Sequence, residues 1–221
     1  MQQLQFNRDE VLLKEQVEDV RTGYCFLKRT MDVICSCGGL IVLIPIFLLV
    51  AILIRLESKG NPIFSQERVG KDGKKFKMYK FRSMVANAEE LKDKLYCENE
   101  ICGPMFKMKK DPRITKIGRF IRKTSIDELP QLFNVLRGEM SLVGPRPSLP
   151  KEVIKFEDWM MDRLSVKPGL TCYWQVSGRS DIGFVEWMRL DVKYVEERNT
   201  LIDMKLVFKT FGVFFGDEHA R

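Results

Sequence analysis

Residues 38–57, GGLIVLIPIFLLVAILIRLE, decide how this chain is organised, because they are apolar enough for a membrane and carry Pro45 near the middle. The run without a charge extends over residues 33–54. As a straight helix it would be about 33 Å long and could cross a hydrocarbon core of about 30 Å. An interior proline, however, removes a backbone hydrogen bond and kinks or breaks a helix. Split at Pro45, the two arms would be about 18 Å and about 14 Å long, and neither would cross by itself.

Charged residues flank the apolar run on both sides. Lys28, Arg29 and Asp32 precede it, and Arg55 and Lys59 follow it. Lys and Arg mark the cytoplasmic side of a membrane segment, so we expect both ends of the run on the cytoplasmic face. The sequence therefore predicts a helix–break–helix that enters and leaves by one leaflet, broken at Pro45 and anchored by Lys28, Arg29 and Asp32. A kinked helix that crosses the bilayer is the alternative.

Length and composition narrow the possible functions. The chain has 221 residues, enough for one domain and an anchor, and a net charge of +7, which suits anionic partners such as nucleic acid, lipid headgroups or phosphorylated substrates. Its six cysteines form no Cys-x-x-Cys pair and its single histidine is His219, which argues against a zinc site. The first residues lack the apolar centre of a secretory signal peptide.

After the apolar run, the patterns predict a basic domain of mixed helix and strand. Residues 62–84 alternate around Asp72-Gly73, as in a β-hairpin. Residues 111–125, DPRITKIGRFIRKTS, predict a basic amphipathic helix that either covers a core or lies on anionic headgroups. Further helices are expected over residues 9–20, 86–95, 128–136 and 184–198, strands over residues 140–144 and after Pro168 with a turn on either side, and an apolar tail over residues 206–215.

The chemistry has to come from a carboxylate, because the sequence lacks a phosphate-binding Gly-rich loop, a nucleophile elbow and a histidine that could activate a serine or cysteine. The best candidates are Asp127 and Glu128, adjacent at the start of a predicted helix. If Pro130 is the third helical residue, Asp127 is the N-cap. It would then either be a cap only, or a carboxylate kept ionised by the helix dipole beside free amides that bind phosphate.

Cations must offset the charge of a phosphorylated substrate that meets these carboxylates. The candidates are Lys80, Arg82, Arg113, Arg146 and Arg179. Proline on both sides of Arg146 stiffens the backbone that would present its guanidinium group. Each alone could equally be a surface residue, but together with the carboxylate pair they predict a phosphoryl-transfer site.

These motifs resemble the bacterial sugar transferases, the monotopic phosphoglycosyl transferases that begin surface-glycan assembly. The matching stretches are KRTMD at 28–32, the proline in the apolar run, PIFSQERVGKDGKKFKMYKFRSM at 62–84, DPRITKIGRFIRKTSIDELPQLFNVLRGEMSLVGPRP at 111–147, VKPGLTCYWQVSGR at 166–179 and LDVKYV at 190–195. The match covers about residues 28–215 in order and leaves out residues 1–27. Longer relatives carry a multi-span N-terminal region, so the chain is expected to be the minimal catalytic form.

The resemblance implies a ping-pong reaction at the cytoplasmic face of the bacterial inner membrane. Asp127 would attack the β-phosphate of a UDP-sugar and expel UMP, and undecaprenyl (polyprenol) phosphate would then accept the phosphosugar, as the first membrane step of capsule, exopolysaccharide or related glycan assembly. Glu128, with Asp127, would hold Mg²⁺, and Arg146 would bind phosphate. Relatives often have serine before the helix-breaking proline, where this chain has Ile44, so the break is expected to be stabilised through Ser36, Cys35 or water.

The resemblance implies an α+β, mostly helical monotopic membrane protein with a re-entrant broken helix, amphipathic interfacial helices and a small β-hairpin. Its regions would be an N-terminal amphipathic extension (residues 1–27), the re-entrant segment (28–58) and a cytosolic catalytic domain (59–221). The apolar tail also leads us to expect a homodimer. UDP-glucose, UDP-galactose and N-acetylated relatives would fit equally. A membrane-tethered nucleic-acid binder, with Tyr173 and Trp174 as its few stacking candidates, and a non-catalytic scaffold remain alternatives.

Overall fold

The computed structural model describes residues 2–85, 87–88, 91, 111–177 and 182–216, with side chains described within residues 22–210 of that set. The α-helices are α1 (Gln2–Val42), α2 (Ile44–Glu57), α3 (Lys116–Lys123), α4 (Gln131–Arg137), α5 (Pro150–Val153), α6 (Asp158–Met161), α7 (Tyr173–Val176), α8 (Phe184–Glu197) and α9 (Thr200–Gly216). The strands are β1 (Ile63–Val69), β2 (Lys75–Phe81), β3 (Ser141–Val143) and β4 (Gly169–Thr171), and 3₁₀ turns cover Lys71–Gly73, Ile126–Glu128 and Asp162–Ser165. This mixture of helices and small sheets confirms the predicted α+β class.

The described residues form two sheets of two strands each. Strands β1 and β2 pair antiparallel as the predicted hairpin, and Asp72 at its tip adopts a left-handed conformation with φ 55°. Strands β3 and β4 pair in parallel, and Gly169 lets their ends come together, because an added Cβ there would lie 2.1 Å from the backbone nitrogen of Gly144. The strand predicted at 140–144 and the helix predicted at 184–198 are confirmed. The strand predicted after Pro168 is shorter than its sequence pattern, since residues Tyr173–Val176 form α7, and the turn predicted to follow it extends beyond the described residues.

The apolar run is bent where the sequence predicts it. Thr22–Val42 and Ile44–Glu57 meet at 59°, and within the described residues only this bent pair, not any one helix, has the length and composition of a membrane segment. Pro45 lies in the first turn of α2, where a missing N–H costs nothing because that turn has no intrahelical acceptor for it. The hydroxyl of Ser36 donates to the carbonyls of Asp32 (2.5 Å) and Val33 (3.3 Å), so its expected role at the break is wrong.

Residues 28–32 connect α1 to the rest of the domain. Lys28 donates to the Asp203 carboxylate (2.7 Å), Arg29 to the carbonyls of Val135 (2.7 Å) and Leu136 (2.8 Å), and Asp32 accepts from Ser141 (3.0 Å) and the amide of Leu142 (2.9 Å). The three expected membrane anchors therefore direct their side chains into the folded domain. The predicted boundary at residue 27 lies inside α1, whose side chains before residue 22 are not among those described.

Helix α2 has a packed face and an exposed face. Val50 and Ile54 are buried against Phe81 and Ile121. The opposite face exposes large apolar side chains: Leu48, Leu49, Ile52, Leu53 and Leu56. At its end, the Glu57 carboxylate accepts from the first amides of α3, those of Lys116 (2.7 Å) and Ile117 (3.0 Å). The end of the apolar segment is thus joined to the same domain that holds its beginning.

The predicted basic helix is shorter than its sequence pattern. Helix α3 begins at Lys116, after Thr115, whose side chain accepts from the amide of Gly118. Arg113 precedes the helix and is 4% exposed, so it does not belong to the basic face. The helix expected at residues 86–95 lies largely outside the described residues, and the predicted apolar tail falls within α9.

Candidate active site

A cavity opens between the hairpin and the β3–β4 pair. In the hairpin register Lys80 lies opposite Phe64, Met78 opposite Gln66 and Phe76 opposite Arg68, so Arg68, Met78 and Lys80 are on one face. They line the cavity together with Glu128, Gln131, Arg146, Pro147, Gly169, Leu170 and Gln175. Segments far apart in the chain therefore meet there, and three of the lining residues are cations.

The carboxylate pair lies in the 3₁₀ turn Ile126–Glu128, which follows Ser125 in a left-handed conformation (φ 53°). Glu128 forms an ion pair with Lys80, with 2.6 Å between Nζ and Oε1. Asp127 is 8% exposed. Burial raises its pKa to about 6; the positive charge of Lys80 opposes this rise, and the negative charge of Glu128 adds to it.

The local structure around Asp127 corrects the sequence prediction. Helix α4 begins at Gln131 with Pro130 in the N-cap position, so Asp127 is not the N-cap and Pro130 is not the third helical residue. The amides of Glu128 and Leu129 already donate to the carbonyls three residues earlier, so they are not free to bind phosphate. The pKa of Asp127 is raised rather than lowered because burial outweighs any helix dipole at this position.

The predicted cations are only partly brought together. Lys80 and Arg146 line the cavity. Arg82 instead donates to the carbonyls of Ser58 (2.7 Å) and Lys59 (3.0 Å), at the end of α2. Arg113 forms a buried ion pair with Asp111, with 2.7 Å between the charged atoms. Arg179 lies outside the described residues, so its role stays a prediction.

Arg146 is held by aromatic and backbone contacts. Its guanidinium carbon lies 5.6 Å from the ring centre of Trp174 and 6.0 Å from that of Trp187. Its carbonyl accepts from the buried Arg163 at 2.7 Å, and Arg163 pairs with Asp191 at 2.6 Å. Stacked aromatic rings leave the edge of a guanidinium group available to an anion.

Sequence reasoning missed Arg68, Gln131 and Gln175 among the cavity's polar residues. Arg68 could have been found, because the hairpin register places it on the same face as Lys80. The proposed stacking residues for nucleic acid are instead packed internally: Tyr173 lies 6.2 Å from Tyr194 and Trp174 lies 5.0 Å from Trp187, measured between ring centres.

Within the described residues, no cluster of three or more His, Cys, Asp or Glu side chains could hold a metal ion. Glu128 lines the cavity, and Asp127 is the neighbouring carboxylate in the same 3₁₀ turn. Mg²⁺ is commonly bound by one or two carboxylates, with substrate phosphates and water as the other ligands. These two carboxylates therefore fit a magnesium ion whose other ligands are water and phosphate oxygens.

The fold combines a bent apolar helix pair with a cavity that holds three cations and the Glu128 carboxylate, and sequence comparison specifies the family of such a chain. A family model described as bacterial sugar transferase matches residues 23–217. The chain belongs to the bacterial sugar transferase family, which confirms the resemblance seen in its motifs.

Named relatives support this assignment. The chain is 48% identical over 195 residues to a galactosyl transferase, CpsE, of Streptococcus agalactiae, covering 86% of this chain and 42% of that protein. It is 44% identical over 213 residues to an undecaprenyl-phosphate galactose phosphotransferase of Salmonella typhimurium, covering 94% and 44%. An exopolysaccharide production protein, ExoY, of Rhizobium meliloti is 36% identical over 202 residues, covering 90% and 89%. The chain thus spans less than half of the first two relatives and most of the third.

Proposed function

We propose that this protein transfers a sugar 1-phosphate from a UDP-sugar to undecaprenyl (polyprenol) phosphate and releases UMP. The observation that carries the proposal is a cavity lined by Glu128 together with Lys80, Arg68 and Arg146, with the buried Asp127 adjacent to Glu128 in the same 3₁₀ turn. Such a cavity suits a substrate whose diphosphate needs cations and whose phosphorus needs a nucleophile. The names of the relatives from Salmonella typhimurium and Streptococcus agalactiae, an undecaprenyl-phosphate galactose phosphotransferase and a galactosyl transferase, agree with the transfer of a sugar phosphate to undecaprenyl phosphate.

The reaction proceeds in two displacements. An oxygen of the Asp127 carboxylate attacks the β-phosphorus of the UDP-sugar, the bond from that phosphorus to the bridging oxygen breaks, and UMP leaves with the electron pair. A phosphate oxygen of the polyprenol phosphate then attacks the same phosphorus, and the bond to Asp127 breaks, which restores the carboxylate. A pKa of about 6 leaves Asp127 largely ionised at neutral pH, and it makes the carboxylate more basic than an ordinary aspartate.

Lys80 and Glu128 organise the charge around this nucleophile. Lys80 keeps a positive charge beside the pair through its 2.6 Å contact with Glu128. Asp127 and Glu128 would hold Mg²⁺, which, when bound, offsets the negative charge of the diphosphate. Arg146, with its backbone fixed by flanking prolines and by Arg163, provides a guanidinium group for phosphate.

The bent pair α1–α2 is proposed to dip into the cytoplasmic leaflet of the bacterial inner membrane and return. Two observations support this arrangement: the 59° bend and the exposed apolar face of α2. A third is that both ends of the pair contact the same domain, through Lys28 before the bend and Glu57 after it. A span that crossed the bilayer would place these two contacts on opposite sides of the membrane.

The covalent step is tested by incubating the detergent-purified protein with UDP-galactose and no lipid acceptor. We expect a burst of about one UMP per enzyme and a phosphosugar adduct on the peptide that contains Asp127. Arg146→Ala should slow the burst strongly, whereas Lys151→Ala, at an exposed helical position nearby, should leave it unchanged. UMP release that requires the lipid acceptor, with an unmodified peptide, would demote Asp127 to a general base or metal ligand. UDP-glucose and the N-acetylated UDP-sugars, tested in parallel, identify the donor.

The topology is tested by cysteine labelling in a variant without the native cysteines. Gly23→Cys and Lys59→Cys lie on either side of the bent pair, Gly23 with no atom within 4 Å of an added Cβ and Lys59 exposed. Both cysteines should react only when the reagent reaches the cytoplasm. Labelling of Gly23→Cys from the outside of intact cells would show that the helix pair crosses the bilayer instead of returning to the same leaflet. The homodimer stays a prediction, which the mass of the detergent-solubilised protein would test.

A further inference from the structure

Arg68 is a buried cation whose bonding is incomplete. Its side chain donates to the carbonyl of Pro147 (3.1 Å) and to the side-chain oxygen of Gln66 (2.7 Å). Its Nε is buried and has no hydrogen-bond partner. Within the described part of the chain it forms no ion pair, although it is only 8% exposed. A buried charge is normally paired, because leaving water is costly, so this group needs an anion that the chain itself does not provide.

The positive charge of Arg146 near Arg68 also favours the binding of an anion. Burial and, to a smaller extent, the nearby positive charge of Arg146 lower the pKa of Arg68 to about 10, while Glu152 and Glu128 oppose the shift. Arg146 also forms no ion pair with any residue the structure describes. Two guanidinium groups that repel each other at one cavity are stabilised together when an anion binds between them.

The position of Arg68 within the cavity indicates which anion it binds. On the hairpin, Arg68 lies opposite Phe76, four residues from Lys80 along β2. At about 3.4 Å per residue, the backbones of this pair and of Lys80 are about 14 Å apart along the strand. Lys80 holds Glu128 next to the nucleophile. Arg68 and Lys80 nevertheless line the same cavity, so their long side chains can reach two phosphates that share a bridging oxygen, with the attacked phosphorus on the Lys80 side and the neighbouring phosphate on the Arg68 side.

We propose that Arg68 is a substrate-binding residue that contacts the phosphate retained by the departing nucleotide. This inference rests on the proposed function, in which a nucleoside diphosphate donor is cleaved beside Asp127. The β-phosphate lies at the Lys80–Glu128 end, and the α-phosphate, which leaves as part of UMP, is held by the guanidinium groups of Arg68 and Arg146. The fork of a guanidinium group suits a phosphate with two free oxygens.

The alternative is a purely structural role for Arg68, in which its contact with Pro147 holds the loop that carries Arg146. The test therefore uses Arg68→Gln, which removes the charge, Arg68→Lys, which keeps the charge but removes the fork, and Lys74→Gln, which removes one charge from an exposed position at the hairpin tip. Each variant is measured by the KM for the UDP-sugar, by product inhibition by UMP, and by the rise in unfolding temperature that UMP produces.

Arg68→Gln should raise the KM and the UMP inhibition constant by about tenfold or more, the usual range for a lost hydrogen bond to a charged group. It should also lose the UMP-induced rise in unfolding temperature. Arg68→Lys should fall between wild type and Arg68→Gln, and Lys74→Gln should match wild type. Once the phosphosugar intermediate has formed and UMP has been removed, the KM for polyprenol phosphate should be unchanged in all variants.

An Arg68→Gln protein with a lower unfolding temperature but an unchanged KM and UMP inhibition would overturn the assignment in favour of a structural role. An effect confined to the KM for polyprenol phosphate would assign Arg68 to the lipid phosphate instead. If Arg68→Gln does not fold, Arg68→Lys decides, because a wild-type response to UMP in that variant excludes a role for the fork. If wild-type protein releases no UMP from UDP-sugars, the proposed function is refuted. The rise in unfolding temperature that added UMP produces is measured separately, so it still tests whether Arg68 binds the phosphate of UMP.

Discussion

Asp127→Asn should inactivate the enzyme and stabilise its fold at neutral pH. The carboxyl group is 8% exposed, and burial raises its pKa from 3.8 to about 6. A raised pKa means that the folded protein binds the proton more tightly than the unfolded chain does. The resulting stabilisation is therefore fully present below about pH 4 and is lost as the pH rises through about 6.

The size of the effect follows from that shift. A difference of about 2 pH units corresponds to about 3 kcal/mol, which is the upper bound because Glu128 titrates together with Asp127. Asparagine has nearly the same volume and carries no charge, so at pH 7.5 the free energy of unfolding of Asp127→Asn should exceed that of wild type by up to about 3 kcal/mol. For a protein of this size, each kcal/mol raises the unfolding temperature by roughly 2–4 °C.

The assay is thermal unfolding in detergent at pH 7.5 and pH 4, together with UMP release at pH 7.5. Asp162→Asn, at an exposed position, is the matched control and should change stability by less than about 0.5 kcal/mol at either pH. The gain of Asp127→Asn should disappear at pH 4, where wild-type Asp127 is protonated. A variant less stable than wild type at pH 7.5 would mean that the carboxylate makes structural hydrogen bonds that outweigh its burial. Continued UMP release would remove Asp127 as the nucleophile.

Three further predictions concern the pH dependence of activity, a glycine between two strands and a buried ion pair. First, kcat/KM for UMP release should fall below about pH 6 as Asp127 becomes protonated, and a profile flat down to pH 5 would contradict its raised pKa. Second, Gly169→Ala should prevent stable folding, since its Cβ would lie 2.1 Å from a backbone nitrogen, whereas Gly38→Ala, with no atom within 4 Å, should fold normally as judged by circular dichroism. Third, Arg163→Met should lower the free energy of unfolding, measured in urea, by about 3–5 kcal/mol, because the buried Asp191 loses its partner at 2.6 Å. A decrease below about 1 kcal/mol would show that Asp191 is protonated in the variant.

Several elements could be predicted from the sequence because their causes are local. The bend at Pro45 depends on a missing N–H, and the hairpin depends on a turn that tolerates a left-handed Asp72. The end of α4 at Gly138, with φ 81°, depends on the freedom of glycine. Residue types and motifs predicted one site that contains Asp127, Glu128, Lys80 and Arg146. Glu128, Lys80 and Arg146 line the described cavity.

Only the tertiary structure decided which cations belong to the cavity and how the carboxylate titrates. Arg82 and Arg113 have the same chemistry as Arg68, but the packing gives them Ser58, Lys59 and Asp111 as partners and leaves Arg68 facing the cavity. The sequence predicted Asp127 as the ionised N-cap of a helix, whereas the structure places it in the 3₁₀ turn before α4. Its raised pKa depends on burial, and burial is set by segments distant in the chain, which no local pattern can specify.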